Sequence, residues 1–261
     1  MKRSLPAILL LCGACDVSEP EDVRGVEPGE ATEADPLDDT SSNTYACADG
    51  PAFPGQWVGT VDPDRVTTTP YDFDAGIADA IAAMDRGSFP VEITDAVVAN
   101  YTERDGEIDT LWIQDGSAGL MTYNVSTGLR SDEISPGDTV SFTISDGTIY
   151  FGLPEITGIS GDITVTGSQD VYLVDGTAEV VTTETHLSQN ILAYGELTAD
   201  EGSCGSARCF TFSYGENAHT IRVSEGLNFK VGDCIELAMP LGIYFEEEQY
   251  SVDNNDWVSV Y

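Results

Sequence analysis

From Pro90 onward the chain passes from one alternating apolar–polar segment to the next, with no helical spacing between them. "PVEITDAVVANY", "TLWIQD", "GLMTYNV" and "DTVSFTIS" open the series, and "ILAYGELT", "CFTFSYG", "HTIRVSEG" and "WVSVY" close it. Period-two alternation is the mark of half-buried strands. A βαβ sheet would need crossovers of about a dozen residues, usually helical. The connections here hold no such segment, so a hairpin-rich, all-β architecture is expected. Turns are expected at "DGSAG" and at Asp146-Gly147. One helix is expected ahead of the strands, in "FDAGIADAIAAMDRG". There Ile77, Ile81 and Met84 share a face that reads as core, Asp74 can cap the start, and Gly87 stands at the stop.

The strand series repeats itself. "ISPGDTVSF" at Ile134 returns as "FKVGDCIEL" at Phe229. Upstream, "LWIQDGSAGLMTYNVSTG" lies over "FTFSYGENAHTIRVSEG", with Gly116 opposite Gly215, Val125 opposite Val223 and Gly128 opposite Gly226. An ordered series of hairpin, glycine, spacer, Gly-Asp and strand points to one small barrel built twice. In each copy the glycine permits the turn, and Asp138 or Asp233 bonds local backbone as the strand begins.

Five strands with a long first strand, a central hairpin and a Gly-Asp turn before the fourth make a small Greek-key barrel. The stretch "VEITDAVVANYTERDGEIDTLWIQDGSAGLMTYNV" followed by "ISPGDTVSFTI" resembles the OB-fold domains of exported bacterial lipoproteins. The resemblance covers about Phe89 to Gly152 well and Asn190 to Tyr261 more weakly. It implies a barrel and an exported setting, and related modules accompany secreted nucleases. It does not imply catalysis. The expected fold class is mostly β: two tandem OB-fold-like five-stranded barrels with a short N-terminal helix.

The first residues, "MKRSLPAILLLCGAC", have a basic start, a short apolar run and small residues before a cysteine. That is the pattern of a secretory signal, too short to span a membrane as a helix. Its end resembles a bacterial lipobox, with Gly13 and Ala14 before Cys15; Cys12 departs from the usual leucine. The expectation is cleavage before Cys15 and lipidation of its thiol. Residues 16–44 are acidic and poor in large apolar groups, so they are read as a disordered tether. The expected domains are residues 1–14 (signal), 15–45 (tether), 46–178 (first barrel with its helix) and 179–261 (second barrel). Export places Cys47, Cys204, Cys209 and Cys234 in an oxidising compartment. Local closure of Cys204 with Cys209 is the first choice and leaves Cys47 for Cys234; Cys204 with Cys234 is the competitor.

Charge and motifs bound the chemistry. The 261 residues carry 46 Asp and Glu against 10 Lys and Arg, a formal net of −36. From Pro90 onward, 29 acids face only Arg104, Arg130, Arg208, Arg222 and Lys230. A phosphate backbone is repelled by such a surface, so no nucleic-acid partner is expected. No nucleophile elbow, zinc-protease helix, Walker loop or dinucleotide fingerprint is present. His186 lies in a connector expected to be exposed, and His219 opens a strand, expected at the surface or an edge. No catalytic residue is assigned. Asp105, Glu107 and Asp109 alternate around Gly106 as a weak calcium candidate without the full loop pattern. Trp112, Tyr123, Phe212 and Tyr214 are the candidate ligand-face aromatics. The expectation is a non-catalytic, lipid-anchored envelope protein binding a protein or glycan, with a carboxylate or cation-assisted hydrolase and a structural spacer as alternatives.

Overall fold

The computed structural model describes residues 47, 59–224, 227–244, 247–252 and 255–261. The signal peptide, Cys15, the tether and the segment around Trp57 lie outside these residues. A short strand, β1 (Val66–Thr67), and helix α1 (Ile77–Arg86) precede the first barrel. That helix stops at Gly87, whose φ of 61° is the left-handed C-cap conformation glycine adopts readily. Its face of Ile77, Ala80, Ala83 and Met84 is buried.

The first barrel is formed by β2 (Val91–Arg104), β3 (Glu107–Gln114), β4 (Gly119–Thr122), β5 (Asp138–Tyr150) and β6 (Leu153–Ser168). It closes in the order β2-β3-β4-β6-β5, with β4 and β6 parallel and the other pairs antiparallel. This is the OB-type five-stranded order. Leu111, Ile113, Leu120, Val140, Phe142, Ile144 and Ile156 fill its interior.

The turn expected at Asp146-Gly147 is not a turn. Both residues lie inside β5, where the register to β6 shifts. The chain reverses instead at Phe151 and Gly152, with φ of 47° and 95°. Two consecutive positive φ angles match the twist of a tight hairpin. Gly147 serves packing: a Cβ there would stand 2.7 Å from Cε of Met84 on α1.

After β7 (Val171–Tyr172), which runs parallel to β1, come β8 (Val174–Asp175) and the short helix α2 (Thr183–His186). The second set follows: β9 (Asn190–Cys204), β10 (Ala207–Tyr214), β11 (Asn217–Val223), β12 (Cys234–Pro240), β13 (Gly242–Tyr244), β14 (Glu247–Val252) and β15 (Val258–Val260). Their order is β13-β14-β11-β10-β9-β12-β15, with β11 and β14 parallel and β8 beside β9. Strands β12 and β13 are separated only by Leu241, so one bent segment pairs with β9 at one end and β14 at the other. The second copy thereby reproduces the first barrel's strand order. Phe210, Phe212, Tyr214, Ile221, Leu237 and Tyr250 fill it.

Specific bonds join the two halves. Asn190 Nδ2 donates to the Ala99 carbonyl at 2.7 Å, and Gly119 N donates to the Leu187 carbonyl at 2.7 Å. Gly119 must be glycine for this approach, since a Cβ would come within 2.1 Å of the Ser188 carbonyl oxygen. Within the first half, Tyr71 ties the segment before α1 to β3 and β7. Its hydroxyl donates to the Asp170 carbonyl and accepts from Tyr172 N and Gln114 Nε2, and burial pushes its pKa up to about 12. Disulfides join Cys47 to Cys234 and Cys204 to Cys209.

Candidate functional site

A cleft of about 900 Å³ opens between the barrels. Strand alternation builds its first wall. Leu111, Ile113, Leu120 and Ile156 point into the first barrel, so their neighbours Trp112, Met121 and Glu155 point out. Cross-strand register puts those three in one lateral row: Trp112 opposite Met121, and Met121 opposite Glu155. Thr110 and Leu153, two residues away on the same strands, and Tyr123, just past the end of β4, extend this face. Tyr150, half exposed beside the hairpin turn, stands at its rim.

The second barrel supplies the opposite wall through Pro240, Ile243, Tyr244 and Trp257. Trp112 and Trp257 meet edge to face, with ring centroids 5.4 Å apart and planes at 84°. That geometry is favoured by the ring quadrupoles. Trp257 is buried, and its indole N–H finds no acceptor among the described residues.

The cleft is acidic. Glu103, Asp109, Glu155 and Asp256 line it against one cation, Arg104, which pairs with Asp109 at 3.2 Å. Glu155 stands apart chemically. It is only 5% exposed, and no donor among the described residues meets its carboxylate. Burial alone pushes its pKa up, because desolvation disfavours the charged form.

The sequence-predicted residues fall in different places. Trp112 and Tyr123 line the cleft. Phe212 and Tyr214 do not: both are fully buried in the second barrel, stacked with centroids 4.7 Å apart. Inward alternation of β10 puts them there. Asp105, Glu107 and Asp109 surround the β2–β3 turn, where Asp109 is taken by Arg104. Among the described residues, no group of three or more acidic, histidine or cysteine side chains is placed to hold a metal ion.

Both histidines are less exposed than expected. His186 keeps only 15% of its side chain accessible, and burial pushes its imidazole pKa down. His219 is buried. Its Nε2 donates to Glu248 at 3.1 Å, since a carboxylate only accepts. Its Nδ1 lies 2.8 Å from the Tyr214 hydroxyl, which lies 2.6 Å from that of Tyr250. Glu248 also accepts from the Thr183 backbone and hydroxyl. Burial pushes the Glu248 carboxyl up, but the Thr183 and His219 bonds outweigh it and hold the pKa below the usual range.

Sequence reasoning missed Glu155 and Trp257. One signal was present. Aligning the two hairpins sets Ile113 over Phe212 and Trp112 over Thr211, which marks the phenylalanine as interior and the tryptophan as exterior.

Fold and cleft together define a two-barrel, OB-fold-like protein. No family profile matches the chain, and no curated protein matches it. Solved structures similar to it include the tetrameric p202 HIN2, at 14% identity over 67% of this chain and 92% of that one, with a TM-score of 0.35. A murine DNA binding protein bound with ds DNA matches at 11% identity over 66% and 95%, with a TM-score of 0.36. The Ifi202 HINa domain in complex with 20bp dsDNA matches at 12% over 66% and 95%, with a TM-score of 0.32. Two of these three are described with DNA, which stands against the expectations of a protein or glycan ligand and of no nucleic-acid partner. At such TM-scores the likeness assigns no ligand to this chain.

Proposed function

We propose that this protein is a binding module for a small organic molecule, held in the cleft between its two barrels. One observation carries the reading: the buried, unpartnered Glu155 sits in an outward row with Trp112 and Met121, facing Trp257 across the cleft. Ligand pockets commonly span about 300–1,000 Å³ and combine apolar walls with a few placed polar groups. The cleft meets both conditions.

The test is a small-molecule library screened against the full chain by tryptophan fluorescence and thermal shift, with duplex and single-stranded DNA as further arms. Hits should be lost in Tyr123→Ala, an exposed wall residue whose removal leaves both cores intact. DNA binding that ignores this substitution, with no small-molecule hits, would replace the reading with a nucleic-acid surface.

We also propose an exported, lipid-anchored setting. The basic, apolar and small-residue order of residues 1–15 supports it, as do two disulfides, which persist in oxidising compartments. An intact mass without a diacylglyceryl adduct on Cys15 would remove the anchor.

A further inference from the structure

We propose that the cleft selects an organic cation: an ammonium group paired with Glu155 and an apolar body lying against Trp112 and Met121. This rests on the small-molecule reading above and narrows its chemical class.

Four observations converge. Glu155 is 95% buried by its 5% exposure, lines the cleft and has no donor on its carboxylate among the described residues. A carboxylate that is held by no protein donor and opens onto the cleft is free to take a charge-assisted bond from a positive ligand group. The second observation is adjacency: the row places Met121 beside Glu155 and Trp112 beside Met121. An indole ring gives the ligand's apolar body a broad surface, and a neighbouring thioether adapts to irregular apolar shapes.

The third is the local charge. Among the described residues lining the cleft, the one cation, Arg104, pairs with Asp109, while Glu103 adds negative potential. An anionic ligand would meet repulsion from Glu155 and Glu103. The fourth is the whole molecule, whose formal net charge of −36 raises the local concentration of cations near its surface. A metal ion fits less well. It would want several oxygen ligands, and among the described residues no group of three acids gathers.

The experiment compares phenethylamine, a cation at neutral pH, with phenethyl alcohol, which is similar in shape and uncharged. Both are titrated by calorimetry into the full chain, Glu155→Gln, Tyr123→Ala and Asp85→Asn. Asp85 is an exposed acid on α1, so its substitution removes the same charge away from the cleft. Phenethylamine should bind at least about tenfold tighter than the alcohol, and Glu155→Gln should abolish that preference. Asp85→Asn should change nothing beyond about twofold, and moderate salt should leave most of the binding, since buried pairs are screened little.

Equal binding of both probes, lost together in Tyr123→Ala, overturns the cation claim while the cleft reading stands. Phenethylamine binding that salt removes and Glu155→Gln does not is counterion condensation, and also overturns it. Binding of neither probe overturns the cation class; the neutral members of the library then decide the cleft.

Discussion

Asp138 and Asp233 make the same pair of bonds in the two barrels. Each carboxylate accepts from the backbone N–H three residues earlier, Ser135 at 2.8 Å and Lys230 at 3.0 Å. Each backbone N–H returns a bond to the same residue's carbonyl, at 3.0 and 3.1 Å. The glycines before them match as well, with φ of 91° and 92° and N–H bonds of 2.8 Å to Val98 and Leu197 on the long first strands. The Gly-Asp phrase is architecture, as its position before a strand suggested. Asp138→Ala and Asp233→Ala should therefore cost similar amounts, about 1 kcal/mol each for a local side-chain bond. Urea titration of both variants checks this. A difference of several-fold between them would show that the corners are not equivalent.

Asp115 is the heaviest-bonded carboxylate described. One oxygen accepts from Ser117 N, Ser117 Oγ and Ala118 N; the other accepts from Ala75 N and Ile77 N at the start of α1. It thus closes the β3–β4 hairpin and caps a helix 38 residues upstream. Asp115→Ala should destabilise the fold by at least about 3 kcal/mol, because several buried donors lose a charged acceptor at once. Asp115→Asn should be nearly as damaging, since one oxygen becomes a donor facing donors. Denaturant midpoints decide; a cost below about 1 kcal/mol would mean water replaces the carboxylate.

The two disulfides should contribute unequally. Loop-closure entropy predicts roughly 5 kcal/mol for Cys47–Cys234, with its sequence separation of 187, and roughly 2 kcal/mol for Cys204–Cys209, with a separation of 5. Serine pairs at each site, compared by melting temperature, should rank in that order. The reverse order would place the stabilising role in the short hairpin.

Glu155 should make the fold weaken as pH rises. Its carboxyl is raised by burial, so the folded state binds the proton more tightly than the unfolded chain does. The associated stability is present below the unfolded pKa, about 4.3, and is lost as pH climbs through the raised folded value. Glu155→Gln removes this dependence and should match or exceed the parent protein near neutrality. The variant and parent should converge in acid. A variant less stable at neutral pH would mean the carboxylate is well solvated or paired. Ligand binding through Glu155 should follow the opposite course, strengthening as the carboxyl ionises.

Much of the fold was legible because alternation, glycines and aspartates act locally. The strands, α1, the repeated corner and the Cys204–Cys209 pair rest on such signals, and Cys47–Cys234 followed as the remainder. The β5–β6 hairpin was misplaced because Asp146-Gly147 carries turn chemistry, while the true reversal uses Phe151, a residue with no turn preference. The site was harder. Period two says that residues alternate, not which set faces inward, so Trp112 and Phe212 read alike until paired across strands. Glu155 is one acid among 46. Only the closure of β6 onto β4 reveals that it faces the cleft beside Met121.

The bond between Cys47 and Cys234 also sets how the molecule would bear force. Tension applied upstream of Cys47 and at β15 would cross the sulfurs and skip everything from residue 48 to residue 233. The first barrel would hang slack, outside the line of pull. The strain would fall on three opposed pairs of β12 and β15, Ile235 with Val260, Glu236 with Ser259 and Leu237 with Val258. Those strands would be the first to part, and reduction of one bond would transfer the load to the rest of the protein.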